Sequence, residues 1–528
     1  MTNIMQRLFG NKPAGYEQAA GVNHEGFPTF ERDLRERYVQ VLLTNTLSHT
    51  FYASQGDNYA QTLTAHGAMI AADPAFAAKA IVYAREQGTM RTQPIIGLVA
   101  LSLADLGLFR QVFGRVIQTP GDLIDFVQIV RSKQIRAGMG RSIKDAVNGW
   151  LNGLSEYHAI KYGADTAGKF SLRDVLRLTH PQPADERADA LFSYLADRDA
   201  WRDKFGERIP GLLPQIHQLE LLKRAEEPAE QRALIEAGRL PYEIVTGAIK
   251  PDRETWGYLM RQMPYMALLR HLVTLQRAEI LADPAAAAYV AERLGNAEAM
   301  RKAKILPFRL HAAWVMFEPK AEAELMVKAA LEQALEQAFV NLPALPGRVV
   351  VSPDVSGSMG GSINYPSKVR YIDIAGIFGG ALMKASPNAS LLPFDTAVRE
   401  VELTPGEPVM SVTAKIAKLC GGGTAISAPI SLLLERREPV DVFIGITDSE
   451  EWARDGYGGH GFLPQWRAYR EQVAPNAQAF LITIAPYGHA VAPQAEPGVH
   501  YIYGWADHVP AYIARTLAGY ASQIAAIE

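Results

Sequence analysis

Three short stretches in the last third of the chain carry oxygen-bearing side chains at spacings that suit a metal ion. In the first stretch, an apolar run over 349–351 predicts a buried strand that leads into Asp354, Ser356 and Ser358. One carboxylate and two hydroxyls, each two residues from the next, can point to one place in an extended turn. Such hard oxygens, with few formal charges, suit a divalent ion that retains some of its water, such as Mg²⁺.

The other two stretches supply further oxygens. A glycine-rich turn over 420–425 delivers the hydroxyl of Thr424 at the start of a predicted helix, and a strand pattern over 440–448 ends in Asp448. Open α/β sheets place binding sites beyond the carboxyl ends of their strands. The plainer alternative is a set of ordinary turn and cap residues, because Asp and Ser are common in turns.

Taken together and in this chain order, the three stretches resemble the metal-ion-dependent adhesion site of von Willebrand factor A domains. The resemblance implies that one Mg²⁺ is held, partly directly and partly through water, by five side chains: Asp354, Ser356, Ser358, Thr424 and Asp448.

A second candidate site is a run of cations that contains no acidic residue. It comprises Arg131, Lys133, Arg136, Arg141 and Lys144, and is followed by Lys161, Lys169, Arg173 and Arg177. Arg173 and Arg177 are four residues apart, so on a helix they share a face. Clustered cations bind phosphates in a salt-sensitive manner. The alternative for such a run is a solvated helix face, and His180 alone is more typical of a cap or packing residue.

Composition narrows the class of protein. The 528 residues suggest two to four domains, and 48% hydrophobic and 21% charged residues are ordinary for a soluble globular chain. The single cysteine permits no internal disulfide. We find no signal-peptide core and no apolar run of bilayer length, so we expect a cytoplasmic protein without membrane contact. The net charge of −3 means that any RNA site must be a local patch.

The periodicity divides the chain into an arm at 1–28, a helical region at 29–340 and an α/β domain at 348–528, with a Pro/Gly hinge before the last. Short amphipathic helices without strands predict a helical-repeat solenoid, with a large bundle as the alternative. One of these helices is predicted over 256–275. Alternating strands and helices then predict a doubly wound, mostly parallel sheet. Its strands are predicted at 349–351, 390–393, 440–447, 479–484 and 500–503. Pro353 cannot donate to a ladder, so the first strand should stop pairing on that side by residue 353.

Four further segments resemble the Ro autoantigen proteins, which share the TROVE module. They read G-R-S-I-K-D-A-V at 140–147, K-Y at 161–162 with L-R-D-V-L-R-L-T-H-P at 172–181, Q-M-P-Y-M-A-L-L-R at 262–270, and K-A-K-I-L-P-F at 302–308. In that family, as in this chain, the von Willebrand-type domain is C-terminal. The resemblance therefore extends over most of the sequence.

The resemblance implies a HEAT-like ring whose ends are bridged by the C-terminal domain. Its outer surface would bind a small noncoding Y RNA, and its hole would take single-stranded 3′ ends of misfolded or damaged RNA. The implied partner is a 3′ exoribonuclease, and we expect a monomer. Lys161 and His180 match positions at which the family contacts Y RNA, and Arg141 falls in its basic helix. Asp165 replaces an expected cation, which favours a contact shifted to Lys169 and Arg173.

Two other functions fit parts of the sequence. A Mg²⁺-dependent protein adaptor on a helical scaffold is the main alternative, because an open metal position can accept an acidic group from a partner. A Mg²⁺ nuclease is disfavoured, since only Asp354 and Asp448 accompany the hydroxyls and two-metal chemistry needs more carboxylates. Glu450 and Glu451 are interpreted as residues that cap or line the loop. With no P-loop or nucleophile elbow in the sequence, we expect no enzymatic activity.

Overall fold

The structure is a computed structural model. It describes residues 21–22, 28–29, 33–44, 47, 55–88, 90–163, 170–303, 305, 307–338, 344–363, 369–404, 406–448, 451, 453–459, 461–484, 491–492, 496–504, 509–517 and 527. The predicted arm at 1–28 lies outside these residues except for β1 (Gly21–Val22) and the first residue of β2 (Pro28–Thr29), which pair in antiparallel fashion.

All elements described between residues 33 and 338 are helical, as predicted. The helices are Leu34–Thr44, Gln55–Ala72, Pro74–Glu86, Thr92–Ala104, Leu106–Val116, Pro120–Ser132, Arg141–Asn152, Glu156–Gly163, Leu172–Thr179, Glu186–Ala196, Arg198–Phe205, the 3₁₀ turn Gly206–Arg208, Ile209–Leu212, Pro214–Leu222, Pro228–Gly238, Tyr242–Ala248, Arg253–Gln262, Tyr265–Arg277, Pro284–Gly295, Ala297–Lys302, Pro307–Met316 and Glu324–Gln337. Capping side chains define many of the boundaries; Asp73, for example, accepts from the backbone N–H of Phe76.

The prediction of a single helix over 256–275 was wrong, because the structure has two helices there. The first is Arg253–Gln262 and the second begins at Tyr265. Pro264 disfavours helical backbone at Met263, which adopts φ −62° and ψ 129°. The apolar period continues across the break, which explains why the pattern alone did not reveal it.

Two apolar cores run through the helical region, and each continues into the C-terminal domain. The first unites buried side chains between residues 38 and 216 with Phe443 and Trp466. The second unites side chains between residues 219 and 335 with Ile377. The two halves of the helical region are therefore each anchored on the same domain by burial of apolar surface.

The C-terminal domain also closes the helical region into a ring. The first helix of that region packs against the last strand of the sheet, where the Tyr503 hydroxyl donates to the buried carboxylate of Glu36. At the other end, Glu336 accepts hydrogen bonds from the Lys384 ammonium and the backbone N–H of Val409. This circuit of contacts agrees with the expected ring, rather than with a separate helical bundle.

The C-terminal domain contains a five-stranded parallel sheet in the order β4-β3-β5-β6-β7. The strands are β3 (Val349–Pro353), β4 (Ala389–Leu391), β5 (Val442–Thr447), β6 (Gln478–Thr483) and β7 (Val499–Tyr503), each within two residues of its predicted bounds. The helices of the domain are Tyr371–Ala385, Val409–Ala417, Ala428–Glu435, Phe462–Gln472 and Val509–Leu517, and a 3₁₀ turn covers Gly357–Gly360. The doubly wound fold was thus predicted correctly.

Pro353 affects the two sides of β3 differently. The ladder with β4 ends at the pair of Val351 and Leu391, whereas the ladder with β5 continues to the pair of Pro353 and Ile446. The Pro353 carbonyl still accepts from the Phe394 N–H, at 3.0 Å. Proline lacks the N–H donor but keeps its carbonyl acceptor. The hydrogen bond from Phe394 is therefore retained where the chain leaves the strand.

No helix among the described residues has both the length and the apolar composition that a membrane crossing requires.

We predict that acid weakens the helical region through His66. Its ring is 1% exposed, its Nδ1 lies 2.9 Å from the Tyr38 hydroxyl, and burial lowers its pKa from 6.5 to about 4. The unfolded chain then binds the proton more tightly, so this stability is fully present above pH 6.5 and is lost as the pH falls toward 4. The loss amounts to about 3 kcal/mol.

Calorimetric unfolding at pH 7.5 and 4.5 checks this prediction. His66→Phe should reduce the difference in melting temperature between the two pH values, because phenylalanine cannot be protonated. His217→Phe, at a half-buried position, is the matched control and should retain the difference. An unchanged difference in the His66 variant contradicts the assignment.

Candidate functional site

The predicted metal ligands meet where the strand order of the sheet reverses. The chain passes from β3 to β4 on one side and then to β5 on the other, so the carboxyl ends of β3 and β5 border a crevice. Asp354 follows β3 and Asp448 follows β5. The topology therefore places two carboxylates that are far apart in sequence at one edge of the sheet.

Hydrogen bonds fix the first loop of this site. The Ser356 N–H donates to Asp354 Oδ1 at 2.8 Å, and the Thr447 hydroxyl donates to Asp354 Oδ2 at 2.7 Å. The hydroxyl oxygens of Ser356 and Ser358 are 3.1 Å apart. Alternate residues of the Asp-x-Ser-x-Ser turn thus bring their oxygens together, as the spacing predicted.

The glycine-rich turn brings Thr424 to the same place. Gly421 donates its N–H to the Val355 carbonyl at 2.8 Å, and Gly357 donates to the Gly422 carbonyl at 3.1 Å. Gly422 has φ +76°, and a Cβ there would lie 2.8 Å from a carboxylate oxygen of Asp395. Only glycine fits this close approach without strain, so this turn requires glycine at residue 422.

The charge and burial of these residues fit a divalent cation. All five side chains are buried, with Asp354 and Thr424 at 0% exposure. Burial, and then the charge of Asp448, raise the pKa of Asp354 to about 7. The Thr424 hydroxyl has no hydrogen-bond partner among the described residues. Two repelling carboxylates and an unsatisfied hydroxyl, all buried, are the donors that a hard cation would pair.

Glu451 supports the loop around this site and is not one of its five predicted ligand side chains. Its carboxylate accepts from the N–H of Ser427 at 3.0 Å and of Phe462 at 2.9 Å, so it holds the starts of two helices. The interpretation of Glu451 as a capping residue is confirmed, while Glu450 lies outside the described residues. Among the described residues, no cluster of three or more Asp, Glu, His or Cys could hold a metal.

The second site is a cavity of about 820 Å³ among six helices of the helical region. Three of the predicted cations, Lys161, Arg173 and Arg177, line it. Two cations that the sequence did not single out also line it: Arg198, which begins a later helix, and Lys223, which caps the end of another. We call this cavity the cationic groove; its lining carries those five cations and two carboxylates, from Asp197 and Glu243.

Lys161 is already partnered within the cationic groove. Its ammonium donates to the Tyr157 hydroxyl at 2.9 Å and to Glu243 Oε1 at 3.0 Å, and lies over the Tyr157 ring. Burial lowers the pKa of Lys161, but these two hydrogen bonds outweigh it and the net shift is upward. Lys161 therefore stays charged, and any anionic ligand has to compete with Glu243 for it.

The arginines of the cationic groove differ in how they are held. Arg173 donates from Nε to the Leu195 carbonyl at 3.0 Å, which fixes its direction. Arg198 lies over the Tyr194 ring at 5.1 Å, and its buried Nε has no hydrogen-bond partner among the described residues. Arg177 is exposed, and no ion pair is described for it. Arg177 and Arg198 are therefore the cations best placed to receive a phosphate.

The structure describes five more of the predicted cations, and none of them lines the cationic groove. Arg131, Lys133 and Arg141 are exposed and Lys144 is half-buried. Arg136 is engaged within the protein, because its guanidinium donates to the Ser102 hydroxyl at 2.6 Å and to the Gly138 carbonyl at 2.8 Å. Their contacts with a ligand stay a prediction.

The last two predicted residues fall in and beside the segment that departs from the family pattern. His180 caps the helix Leu172–Thr179 with left-handed backbone, at φ 48°, and its side chain is exposed. It combines the capping role with an accessible imidazole. Lys169 lies outside the described residues, as does Asp165.

Arg198 and Lys223 were missed because their local sequence gives no signal. Arg198 stands between Asp197 and Asp199, and Lys223 follows Glu220, so each stretch has the mixed charge of an ordinary solvated helix. Only the packing of the helix Pro214–Leu222 near the helix Glu156–Gly163 brings these cations to one cavity.

Comparisons with known proteins find relatives of both the helical region and the C-terminal domain. A family model described as the TROVE domain matches residues 39–230 and 249–324, and one described as the Ro60 vWA domain matches 348–516. An RNA-binding protein RO60 of Deinococcus radiodurans is 25% identical over 459 residues, covering 79% of this chain and 81% of that protein. One of Caenorhabditis elegans is 24% identical over 471 residues, covering 76% and 71%.

A solved structure shares the fold. The crystal structure of the Deinococcus radiodurans RO (RSR) protein superposes with a TM-score of 0.67 at 20% identity, covering 92% of this chain and 100% of that chain.

Proposed function

Because this chain belongs to the Ro family, which is defined by the TROVE domain and a C-terminal vWA domain, we propose that it is a noncatalytic RNA-binding protein. Two curated relatives are named as RNA-binding proteins. The proposal includes a Y-like small RNA on the outer surface and single-stranded 3′ ends in the ring. A 3′ exoribonuclease would then degrade or mature the RNA that the protein holds.

The cationic groove is the observation that carries this proposal. An acidic cavity would repel phosphates and a neutral one would not attract them, whereas this cavity gathers five cations around about 820 Å³. Arg177 and Arg198 can each present a planar fork of donors to a phosphate. The groove therefore suits an RNA backbone read with little sequence preference.

Mg²⁺ at the site of Asp354, Ser356, Ser358, Thr424 and Asp448 belongs to the same proposal. When bound, the ion would neutralise the buried carboxylates and offer an open position to an oxygen ligand. The two carboxylates and three hydroxyls would orient that ion, and the loop around Glu451 would exclude bulk water. This arrangement favours a second role as a Mg²⁺-dependent adaptor for an acidic protein partner, and one chain can perform both roles.

Purifying the protein from its own cells at low salt and sequencing the RNA that accompanies it tests the main proposal. We expect one abundant structured small RNA, lost from a variant in which Lys161 and His180 are replaced by alanine. Replacing His217 and Lys302, elsewhere on the helical region, provides the control. Protein that carries no RNA would favour the adaptor role instead.

Glu243→Gln is expected to strengthen RNA binding. The change removes a negative charge from the cationic groove and releases Lys161 from its ion pair, which is 3.0 Å long. We expect affinity to rise by roughly threefold to tenfold. The plot of log affinity against log salt concentration should become steeper by about 0.9, the slope that one additional phosphate contact contributes. Fluorescence anisotropy with a 3′-tailed RNA duplex at four salt concentrations measures both quantities.

Glu236→Gln is the matched control, because Glu236 is exposed on the helix Pro228–Gly238 and does not line the groove. It should leave affinity and slope unchanged. Weaker binding by the Glu243 variant would show that Glu243 positions Lys161 for RNA rather than competing for it.

A further inference from the structure

A second cavity, of about 490 Å³, lies between the helical region and the C-terminal domain. The helix Pro307–Met316 contributes one wall, and the helices Tyr371–Ala385 and Val409–Ala417 contribute the other. The volume lies within the roughly 300–1,000 Å³ range of small-ligand sites. None of the predicted RNA or metal ligands lines this cavity, which we call the interdomain cleft.

The walls of the interdomain cleft suit a flat ring. Its apolar surface comes from Trp314, Val315, Met410, Ala414 and Ala417. The indole of Trp314 is fixed at its edge, because its Nε1 donates to Glu332 at 2.9 Å. The Lys328 ammonium lies over one face of this indole, 3.8 Å from the ring centroid, so a planar heterocycle in the cleft would stack on the other face.

His311 places an unsatisfied polar atom at this cleft. The residue is 6% exposed, lines the cavity, and its Nδ1 has no hydrogen-bond partner among the described residues. An unpaired buried nitrogen costs free energy, so a site that retains one gains from a ligand that hydrogen-bonds to it. The ring edge of a nucleobase carries donors and acceptors of this kind.

The rim of the cleft is positively charged. Arg370 and Lys418 line it together with a single carboxylate, that of Asp373. Asp373 is buried and paired with the Arg370 guanidinium at 2.8 Å. Lys418 is exposed, and no ion pair is described for it. An anionic group attached to the bound ring would therefore find a cation at the mouth of the cleft.

We propose that the interdomain cleft binds a nucleotide, with its base between the two domains and its phosphate beside Lys418. The same chemistry is presented by a free mononucleotide and by the last nucleotide of an RNA chain. A ligand held by both domains stabilises their contact and so stabilises the closed ring. This site is separate from the cationic groove and does not depend on RNA binding there.

Titration calorimetry on the RNA-free full chain tests the proposal, with AMP, UMP, adenosine, inorganic phosphate and the trinucleotide UUU as probes. We expect AMP or UMP to bind one site per chain and to raise the melting temperature. Ala414→Trp fills the cleft from an exposed helix position, and should weaken nucleotide binding at least about tenfold. Ala237→Trp, also exposed on a helix, is the control and should bind like the wild type.

Two further variants separate the parts of the ligand. Lys418→Gln should weaken AMP about fivefold and leave adenosine unchanged, since only AMP carries the phosphate. His311→Phe keeps a ring in the buried position and removes its nitrogens, so it should weaken AMP and adenosine alike.

The source of the nucleotide follows from the UUU probe. If UUU competes with UMP and its binding is also lost in Ala414→Trp, the cleft takes an RNA end; if it does not compete, the ligand is a free nucleotide. The proposal is overturned if no probe binds, or if binding is equal in Ala414→Trp and Ala237→Trp. Binding that persists in Arg177→Glu/Arg198→Glu separates this cleft from the cationic groove.

Discussion

Replacing both Arg177 and Arg198 with glutamate is expected to weaken RNA binding by about 100-fold or more, equivalent to roughly 3 kcal/mol. The two guanidiniums line the cationic groove, and no hydrogen bond is described for either. Charge reversal removes two phosphate contacts and puts two repelling carboxylates in their place. We expect the slope of log affinity against log salt concentration to become shallower by about two units, because roughly two phosphate contacts are lost.

Anisotropy measurements with a 3′-tailed duplex, between 50 and 300 mM salt, quantify both effects at roughly the range where phosphate contacts dominate. The control is Arg253→Glu/Arg301→Glu, which makes the same change in net charge at two exposed positions outside the groove. If both double variants lose equal affinity, long-range charge alone accounts for binding and the groove is not the site. Melting temperatures of the two variants establish that both are folded.

Asp354→Asn is expected to abolish the response of the protein to Mg²⁺ and to spare RNA affinity. In the wild type, Mg²⁺ at 100 times its dissociation constant should stabilise the fold by about 2.7 kcal/mol, and a chelator should reverse this. The asparagine keeps the shape of the side chain and lacks the charge that a divalent ion needs. The melting temperature of the variant should therefore be the same with Mg²⁺ and with chelator.

The chelated variant should be at least as stable as the chelated wild type. Asp354 is 0% exposed and is repelled by Asp448, so its charge destabilises the metal-free fold. Glu496→Gln, a buried carboxylate of the same domain that pairs with Arg467, is the control and should retain the Mg²⁺ response. A full Mg²⁺ response in Asp354→Asn would exclude this carboxylate as a ligand. Loss of RNA binding by folded Asp354→Asn would instead show that RNA binding depends on the metal site.

The positions of the five candidate metal ligands were largely predictable, because most of their arrangement is set by local sequence. Asp354, Ser356 and Ser358 are consecutive alternate residues, and a strand before them sets their direction. The sequence also placed Asp448 at the carboxyl end of a strand, and the pairing of β3 with β5 brings it to the same edge. Thr424 required only the glycines that precede it. Each of these three local patterns rests on short-range geometry, which a sequence displays directly, whereas their meeting depends on the strand order of the sheet.

The cationic groove was predictable only in part. The spacing of Arg173 and Arg177 placed both on one helix face, and both line the cavity. The sequence could not show that Arg136 donates a hydrogen bond to the Ser102 hydroxyl, or that Lys161 is paired with Glu243. Those partners are 34 and 82 residues away, and such distances are bridged by helix packing that local patterns do not encode.

The sequence by itself determined the division into a helical region and a parallel α/β domain, the strand positions, and the set of oxygens at the candidate metal site. These features follow from periodicity and turn chemistry, which act over a few residues. Tertiary structure alone decided that Arg198 and Lys223 complete the cationic groove, and which residues of the C-terminal domain contact the two ends of the helical region. It also created the interdomain cleft around His311 and Trp314. All three depend on how apolar helix faces pack together, because burial of apolar surface is non-directional and leaves the choice of distant neighbours to the whole fold.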